Sequence, residues 1–441
     1  MKKTLLSTLI LLCAAGPSQA EDLLDIYQQA TQNDPQVREA KAKRDEAFEK
    51  INESRAPLLP QINLGADAEY RQSDNDMRNT NTAGARLGLS QALYRKSNWV
   101  NLDITEKYAT QTDVVYKEEQ QGLIIRATDA YFDVLDAQDT LSFVQANKEA
   151  VARQLEQTKQ RFEVGLSAMT DVHEAQAEFD QVVAEEIRAK NSVANAKEAL
   201  RELTKLHYES LSPLDTDSFS PEPSVLSADA WLDIALDQNL ELHRQRISKD
   251  IANEQITLAQ SGHHPTLDLN AGVGSNYTKY RDDLPAQPGQ GQDQDRTVNE
   301  GTIGLSFNLP IFSGGATNSQ VKQAQYNYVA ASEQLERSFR SVQSKIYSDF
   351  NNVGASASEI RALEQFVISA QSSLDATEAG YEVGTRTIVD VLDATKMLYN
   401  AKKNLSSARY AYILSQLQLK QAAGNLTEQD LISINNGLSR Q

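Results

Sequence analysis

Asp390 and Asp393 stand three residues apart in a tract of helical periodicity, so their carboxylates share one helix face. Paired carboxylates attract cations, and several copies converging on one point can hold a divalent or polyvalent one. Spacing alone favours the plainer alternative, two solvated surface acids. Other candidates for chemistry are few. His173 follows Asp171 and Val172 and reads as a surface residue. His263 and His264 precede a strand expected after Pro265. Adjacent histidines in a strand point to opposite faces, so they make a poor metal pair. No HExxH zinc spacing, Ser/His/Asp set or GxxxxGK[ST] phosphate loop stands at a usable position. The sequence therefore argues against an enzyme and calls for no cofactor. The single cysteine, Cys13, excludes a disulfide framework and a Cys-ligated zinc site.

The chain has 441 residues, a length that suggests two or three domains. Its 61 Asp+Glu outnumber 43 Lys+Arg, for a net charge of −18. That excess argues against nucleic acid, whose phosphates need clustered Lys and Arg. Met1 to Ala20 has a basic start (Lys2, Lys3), an apolar run from Leu5 to Ala15, and then Ser18-Gln19-Ala20. This is the order of a secretory signal peptide over residues 1–20, with cleavage after Ala20. A lipoprotein signal at Cys13 is the weaker alternative, because Leu12 precedes it where a small residue is needed. Beyond this segment no apolar stretch approaches the ~18–20 residues of a membrane-spanning helix. The protein is expected to be exported, and to span a membrane, if at all, without helices.

The elements that carry these residues follow from where helix breakers fall. No proline lies between Pro60 and Pro213, and none follows Pro310. Val321, Ala324, Tyr328, Ala331 and Leu335 step by three and four, as do Ile360, Leu363, Val367 and Ala370. Such narrow seams are of coiled-coil type. Ser97 to Val164 predicts a helix of about 70 residues, about 100 Å long. Each long helix is expected to bend once, at Glu163-Val164-Gly165 and at Glu382-Val383-Gly384, into arms of about half the length, Met169 to Lys205 and Ile388 to Ala423. The helical segments Asp22–Ala56 and Ala228–Ser261, stacked end to end on these arms, would match the long helices.

The chain reads as a tandem duplication. Leu24-Asp25-Ile26 recurs as Leu232-Asp233-Ile234, Gly88-Leu89-Ser90 as Gly304-Leu305-Ser306, and the Glu-Val-Gly bend with its following Asp-Val recurs as well. The expected units are residues 21–210 and 228–424, joined by a linker over 211–227 and followed by a polar tail over 425–441. Within each unit two strands alternate. Ile62, Leu64, Ala66 and Ala68 alternate with Asn63, Gly65, Asp67 and Glu69; Leu87 and Leu89 with Arg86, Gly88 and Ser90. Leu267, Leu269 and Ala271 alternate with Asp268, Asn270 and Gly272; Ile303, Leu305 and Phe307 with Gly304, Ser306 and Asn308. One apolar and one small or polar face over ~10 residues suits a transmembrane barrel strand, and equally a half-buried soluble sheet. Export and aromatic residues near strand ends (Tyr70, Tyr94, Tyr277, Tyr280, Phe312) favour the barrel. Four strands cannot close one, since the smallest have about eight. The expectation is thus a barrel shared between chains, with Ser73–Thr82 and Arg281–Glu300 as its outer turns.

Gly380-Tyr381-Glu382-Val383-Gly384-Thr385-Arg386-Thr387-Ile388-Val389-Asp390-Val391-Leu392-Asp393-Ala394, with the counterpart Val164 to Val172, resembles the TolC family of outer-membrane channels. The resemblance implies an α+β membrane protein: a homotrimer with a 12-stranded outer-membrane β-barrel, four strands per chain, continued by a 12-helix periplasmic α-barrel. It implies an exit duct for multidrug efflux and type I protein secretion. The partners would be a periplasmic membrane-fusion adaptor, an inner-membrane RND, MFS or ABC transporter, and outer-membrane lipid. By the same resemblance Thr170, Asp171, Tyr381, Arg386, Asp390 and Asp393 form a periplasmic gate. Tyr381 and Arg386 tie one bend to the next, Asp390 and Asp393 form a pore-blocking cation ring, and Gly165, Leu166, Gly384 and Thr385 are the hairpin tips that meet the adaptor. The rival expectation is a periplasmic coiled-coil adaptor, though adaptors usually carry one hairpin and this chain predicts two.

Overall fold

The computed structural model describes residues 21–72, 80–216, 219–221, 226–280 and 295–439. The expected signal segment and the loop cores 73–79 and 281–294 lie outside the described residues. The first series of elements is α1 (Leu23–Asn33), α2 (Pro35–Arg55), β1 (Gln61–Arg71), β2 (Thr80–Arg95), α3 (Lys96–Glu163) and α4 (Met169–Thr204). The same order then recurs as α5 (Ala228–Gln238), α6 (Leu240–Gln260), β3 (Thr266–Tyr280), β4 (Arg296–Asn308), α7 (Ala316–Glu382) and α8 (Ile388–Ala423). A short α9 (Glu428–Asn435) follows. The chain divides into two compact units that cut across this order. One comprises residues 1–41, 116–242 and 339–441, the other 42–115 and 243–338.

In the first unit, caps and breaks obey local chemistry. The Asp25 N–H donates to the Asp22 carboxylate at 2.9 Å and starts α1. The two leading helical segments are each interrupted, where periodicity predicted continuity. Asp34 takes extended backbone before Pro35, and its carboxylate accepts the Val37 N–H at 2.9 Å. A residue before proline is forced out of the helical region, and the acid then caps the next helix. Asn239 does the same, accepting the Leu242 N–H at 2.9 Å while its own amide donates to Ala422 O at 2.7 Å. The α8 helix stops at Gly424, whose φ of +83° is open to glycine at little cost. At the start of the expected linker Leu211 and Leu214 are buried and bridge to Glu21 and Leu438. A core of Leu23, Ile26, Tyr131, Phe132, Ile346 and Ile360 fills this unit. Phe132 stacks on Tyr410 with centroids 5.1 Å apart, and the Tyr131 hydroxyl donates to Ser212 O at 2.6 Å.

The second unit holds one antiparallel sheet in the order β1-β2-β3-β4, with β1 and β4 as edges. Its register places Gly65 opposite Arg86, Arg86 opposite Gly274, and Gly274 opposite Glu300. A bulge between Ala92 and Tyr94 shifts β2. The strands outrun the alternating segments read from sequence: Thr80–Thr82 and Arg296–Glu300, expected in turns, are paired. His263 closes a 3-10 turn (Ser261–His263) and His264 follows it, so the pair precedes β3 and does not lie in a strand. Below the sheet Val100, Ile104 and Ile251 form a small core.

Candidate functional site: the two hairpin tips

Both tips lie in the first unit and are built alike. The α3 helix ends when Gly165 turns left-handed at φ +77°; its N–H donates to Phe162 O at 2.9 Å and the Leu166 N–H to Arg161 O at 2.8 Å. The α7 helix ends at Gly384, φ +80°, whose N–H donates to Tyr381 O at 3.1 Å, with the Thr385 N–H on Gly380 O at 2.8 Å. This pair of bonds is the Schellman closure, which needs a residue tolerant of left-handed backbone at that position. Six residues after each glycine an acid caps the start of the next helix. Asp171 accepts the Ser167 hydroxyl at 2.7 Å and the Ala168 N–H at 3.2 Å. Asp390 accepts the Thr387 N–H and the Thr387 hydroxyl, each at 2.9 Å, and the Asp390 N–H returns a bond to the Thr387 hydroxyl at 3.3 Å. The sequence reading missed this capping box, although Thr387-x-x-Asp390 is its signature with Asp in place of Glu.

Asp390 therefore holds α8 together with any cation role. The Thr387 N–H, then the Thr387 hydroxyl and the nearby Arg386 charge, hold its carboxyl below the usual carboxylate range. It is ionised at neutral pH, and Asp393, one turn on, is exposed to solvent. Among the described residues no cluster of three metal-ligating side chains exists within one chain. A cation ring would need carboxylates from several chains.

Tyr381 is buried against Val151, Leu155, Leu374 and Ile388. Its hydroxyl lies 3.4 Å from Thr158 Oγ1, and Thr158 donates its own proton to Gln154 O at 2.8 Å. Tyr381 is then the donor to Thr158. The Arg161 guanidinium sits over the Tyr381 ring, 4.8 Å from its centroid. Such a cation–π contact contributes about 0.5–1 kcal/mol at partly exposed sites. Within one chain, Tyr381 thus ties α7 to the end of α3. Arg386 is exposed, and its stem packs so close to Gly380 that an added Cβ there would meet Arg386 Cγ at 2.8 Å. Thr170 is exposed with its hydroxyl 3.5 Å from Asp171. Sequence periodicity could not have found Thr158 or Arg161, because each meets Tyr381 across more than two hundred residues of chain. The tips themselves are apolar and open: Val164, Leu166 and Val383 are 70%, 68% and 76% exposed.

The model of the outer membrane efflux protein family matches residues 26–204 and 231–425. The chain is 50% identical to outer membrane protein TolC of Escherichia coli K12, covering 99% of this chain and 90% of that protein. It is 52% identical to outer membrane protein TolC of Vibrio cholerae, covering 95% and 94%. The solved CmeC outer membrane channel of Campylobacter jejuni shares the fold at 17% identity, with a TM-score of 0.77 over 95% of this chain and 90% of that one. The repeated order of two helices, two strands, a long helix and a half-length helix, with matched glycine turns at both tips, is accounted for by that relationship: the chain belongs to the outer membrane efflux protein family.

Proposed function

We propose that three copies of this chain form an outer-membrane duct for drug efflux and type I protein secretion. One observation carries the reading. The sheet has two unpaired edges, and its apolar face is open, with Leu64 and Ile303 77% and 82% exposed. An open edge is not viable in lipid. Closure with other copies satisfies both edges and turns the apolar face to the bilayer. Three copies supply twelve strands, and the polar face then lines water. No helix among the described residues is long and apolar enough to cross a membrane.

In this reading the long helices extend into the periplasm and the glycine turns meet a membrane-fusion adaptor. Val164, Leu166 and Val383 supply apolar surface there. An RND, MFS or ABC transporter supplies the energy. Tyr381, Arg386, Thr170 and Asp171 restrain the hairpins, and Asp390 with Asp393 from three chains form a carboxylate ring that attracts cations. Tandem strand pairs and two hairpins per chain disfavour the adaptor alternative. Detergent-extracted protein is expected to run as a heat-sensitive trimer and to give discrete conductance steps in a planar bilayer. A monomer without conductance would refute the duct.

A further inference from the structure

We propose that Arg86 tempers the cation preference of the barrel lumen; this rests on the three-chain barrel above with its polar face inward. Arg86 occupies the middle of a row that runs Gly65, Arg86, Gly274, Glu300 across the four strands. The neighbouring rows are Asn63, Gly88, Gly272, Thr302 and Asp67, Gly84, Asn276, Val298. The glycines are a floor on which the side chains lie flat. A Cβ built at Gly274 would stand 3.5 Å from Arg86 Cβ and Cγ. One built at Gly272 would stand 3.4 and 3.5 Å from Arg86 Nε and Nη2. The guanidinium therefore runs along β3 and does not project from the wall. Asp67 leans over Gly84 in the same way, its Oδ1 3.2 Å from a Cβ built there.

These residues line a shallow basin of about 290 Å³ with Glu300 at its far side. Among the described residues Arg86 makes no hydrogen bond or ion pair, so its charge is open to water. Other charges on this face are mutually paired, Glu69 with Arg71 at 3.1 Å and Arg95 with Asp268 at 2.9 Å, or stand at a strand end, as Arg296 does. Among the described residues the unpaired wall charges are then Arg86 against Asp67 and Glu300. Three Arg86 guanidinium groups interleaved with those carboxylates temper a lumen that would otherwise prefer cations strongly. Because the side chain is flat, it does this without narrowing the passage.

The test uses the full-length oligomer in planar bilayers under a KCl gradient. Arg86→Ser is expected to raise the K⁺:Cl⁻ permeability ratio about twofold near 0.1 M salt, and further near 0.01 M, where the screening length grows from ~10 to ~30 Å. Arg86→Lys keeps the wild-type ratio at pH 7. Glu300→Gln shifts the ratio the other way. Should Arg86→Ser fail to assemble, Arg86→Lys still decides. Its ratio rises as pH passes the lysine value of about 10.4, beyond any change in wild type. An unchanged ratio in Arg86→Ser, or an Arg86→Lys titration identical to wild type, overturns the assignment. A wild-type protein that forms no channel refutes the duct reading instead, so the two failures are distinguishable.

Discussion

Removing the Tyr381 hydroxyl is expected to open the periplasmic end by an amount that the geometry sets. The hydroxyl makes one contact, 3.4 Å from Thr158, longer than the usual 2.5–3.0 Å range for O–H···O bonds. It falls at the low end of hydrogen-bond contributions, about 0.5 kcal/mol per chain. Three chains give about 1.5 kcal/mol, or roughly tenfold in the ratio of closed to open hairpins. Arg386→Ala removes an exposed charge whose proposed ties to the next hairpin would contribute at most about 1 kcal/mol per chain, so the double variant is expected to open further than Tyr381→Phe alone. Tyr381→Ala differs in kind. It also empties the ring's place among Val151, Leu155 and Leu374 and abolishes the Arg161 contact, at a cost of about 3–5 kcal/mol per chain. The assay is single-channel conductance, with thermal unfolding alongside to separate opening from loss of fold. Tyr381→Phe with Arg386→Ala should raise conductance at unchanged thermal stability. Thr158→Val should open at least as far as Tyr381→Phe, since it also leaves the buried Tyr381 hydroxyl unpaired, and combining them should add little, because they remove the same contact. Unchanged conductance in the double variant, or full additivity of Thr158→Val with Tyr381→Phe, would refute the reasoning.

Further outcomes separate the two roles of the tip acids. Asp393→Ala should weaken block by trivalent cations without changing stability, whereas Asp390→Ala should weaken block and also lower the melting temperature through the lost capping box; block that persists in the double variant places the cation site elsewhere. Gly424→Ala should prevent α8 from seating on the break between α5 and α6, since a Cβ there would lie 2.2 Å from Gln238 O, and a melting temperature equal to wild type would contradict this. The Glu186 carboxyl is held down to about 2 by Lys148 and Lys190, each at 2.7 Å. A depressed carboxylate stabilises fully above its unfolded value near 4.5 and loses that contribution as pH falls toward 2. Lys148→Met should therefore lessen the pH dependence of melting between those values, with no change in that slope as the contrary result.

The bends, the half-length arms and the strand pairs were legible because they depend on local rules. A glycine that can take positive φ ends a helix, and alternation of apolar and polar residues marks a strand. Hence α8 runs from Ile388 to Ala423 as the pattern predicts. The breaks at Asp34 and Asn239 had local causes too, the Asp-Pro pair and an amide cap, which helical periodicity masked. The carboxylates Asp390 and Asp393 were visible as a pair, whereas the capping role of Asp390 rests on a box with Asp where Glu or Gln is usual. What no local rule contains is which side chains meet across distant segments. Tyr381 finds Thr158 and Arg161 only once α7 lies on α3. Arg86 finds its glycine floor only once β2 and β3, separated by more than 170 residues of chain, pair in one register. Sequence determined the order of the elements and the lengths of the two long helices and their half-length arms. Tertiary structure decided what each charge and ring meets: alternation within β2 puts Arg86 on the polar face, but only the register with β3 sets it against Gly274.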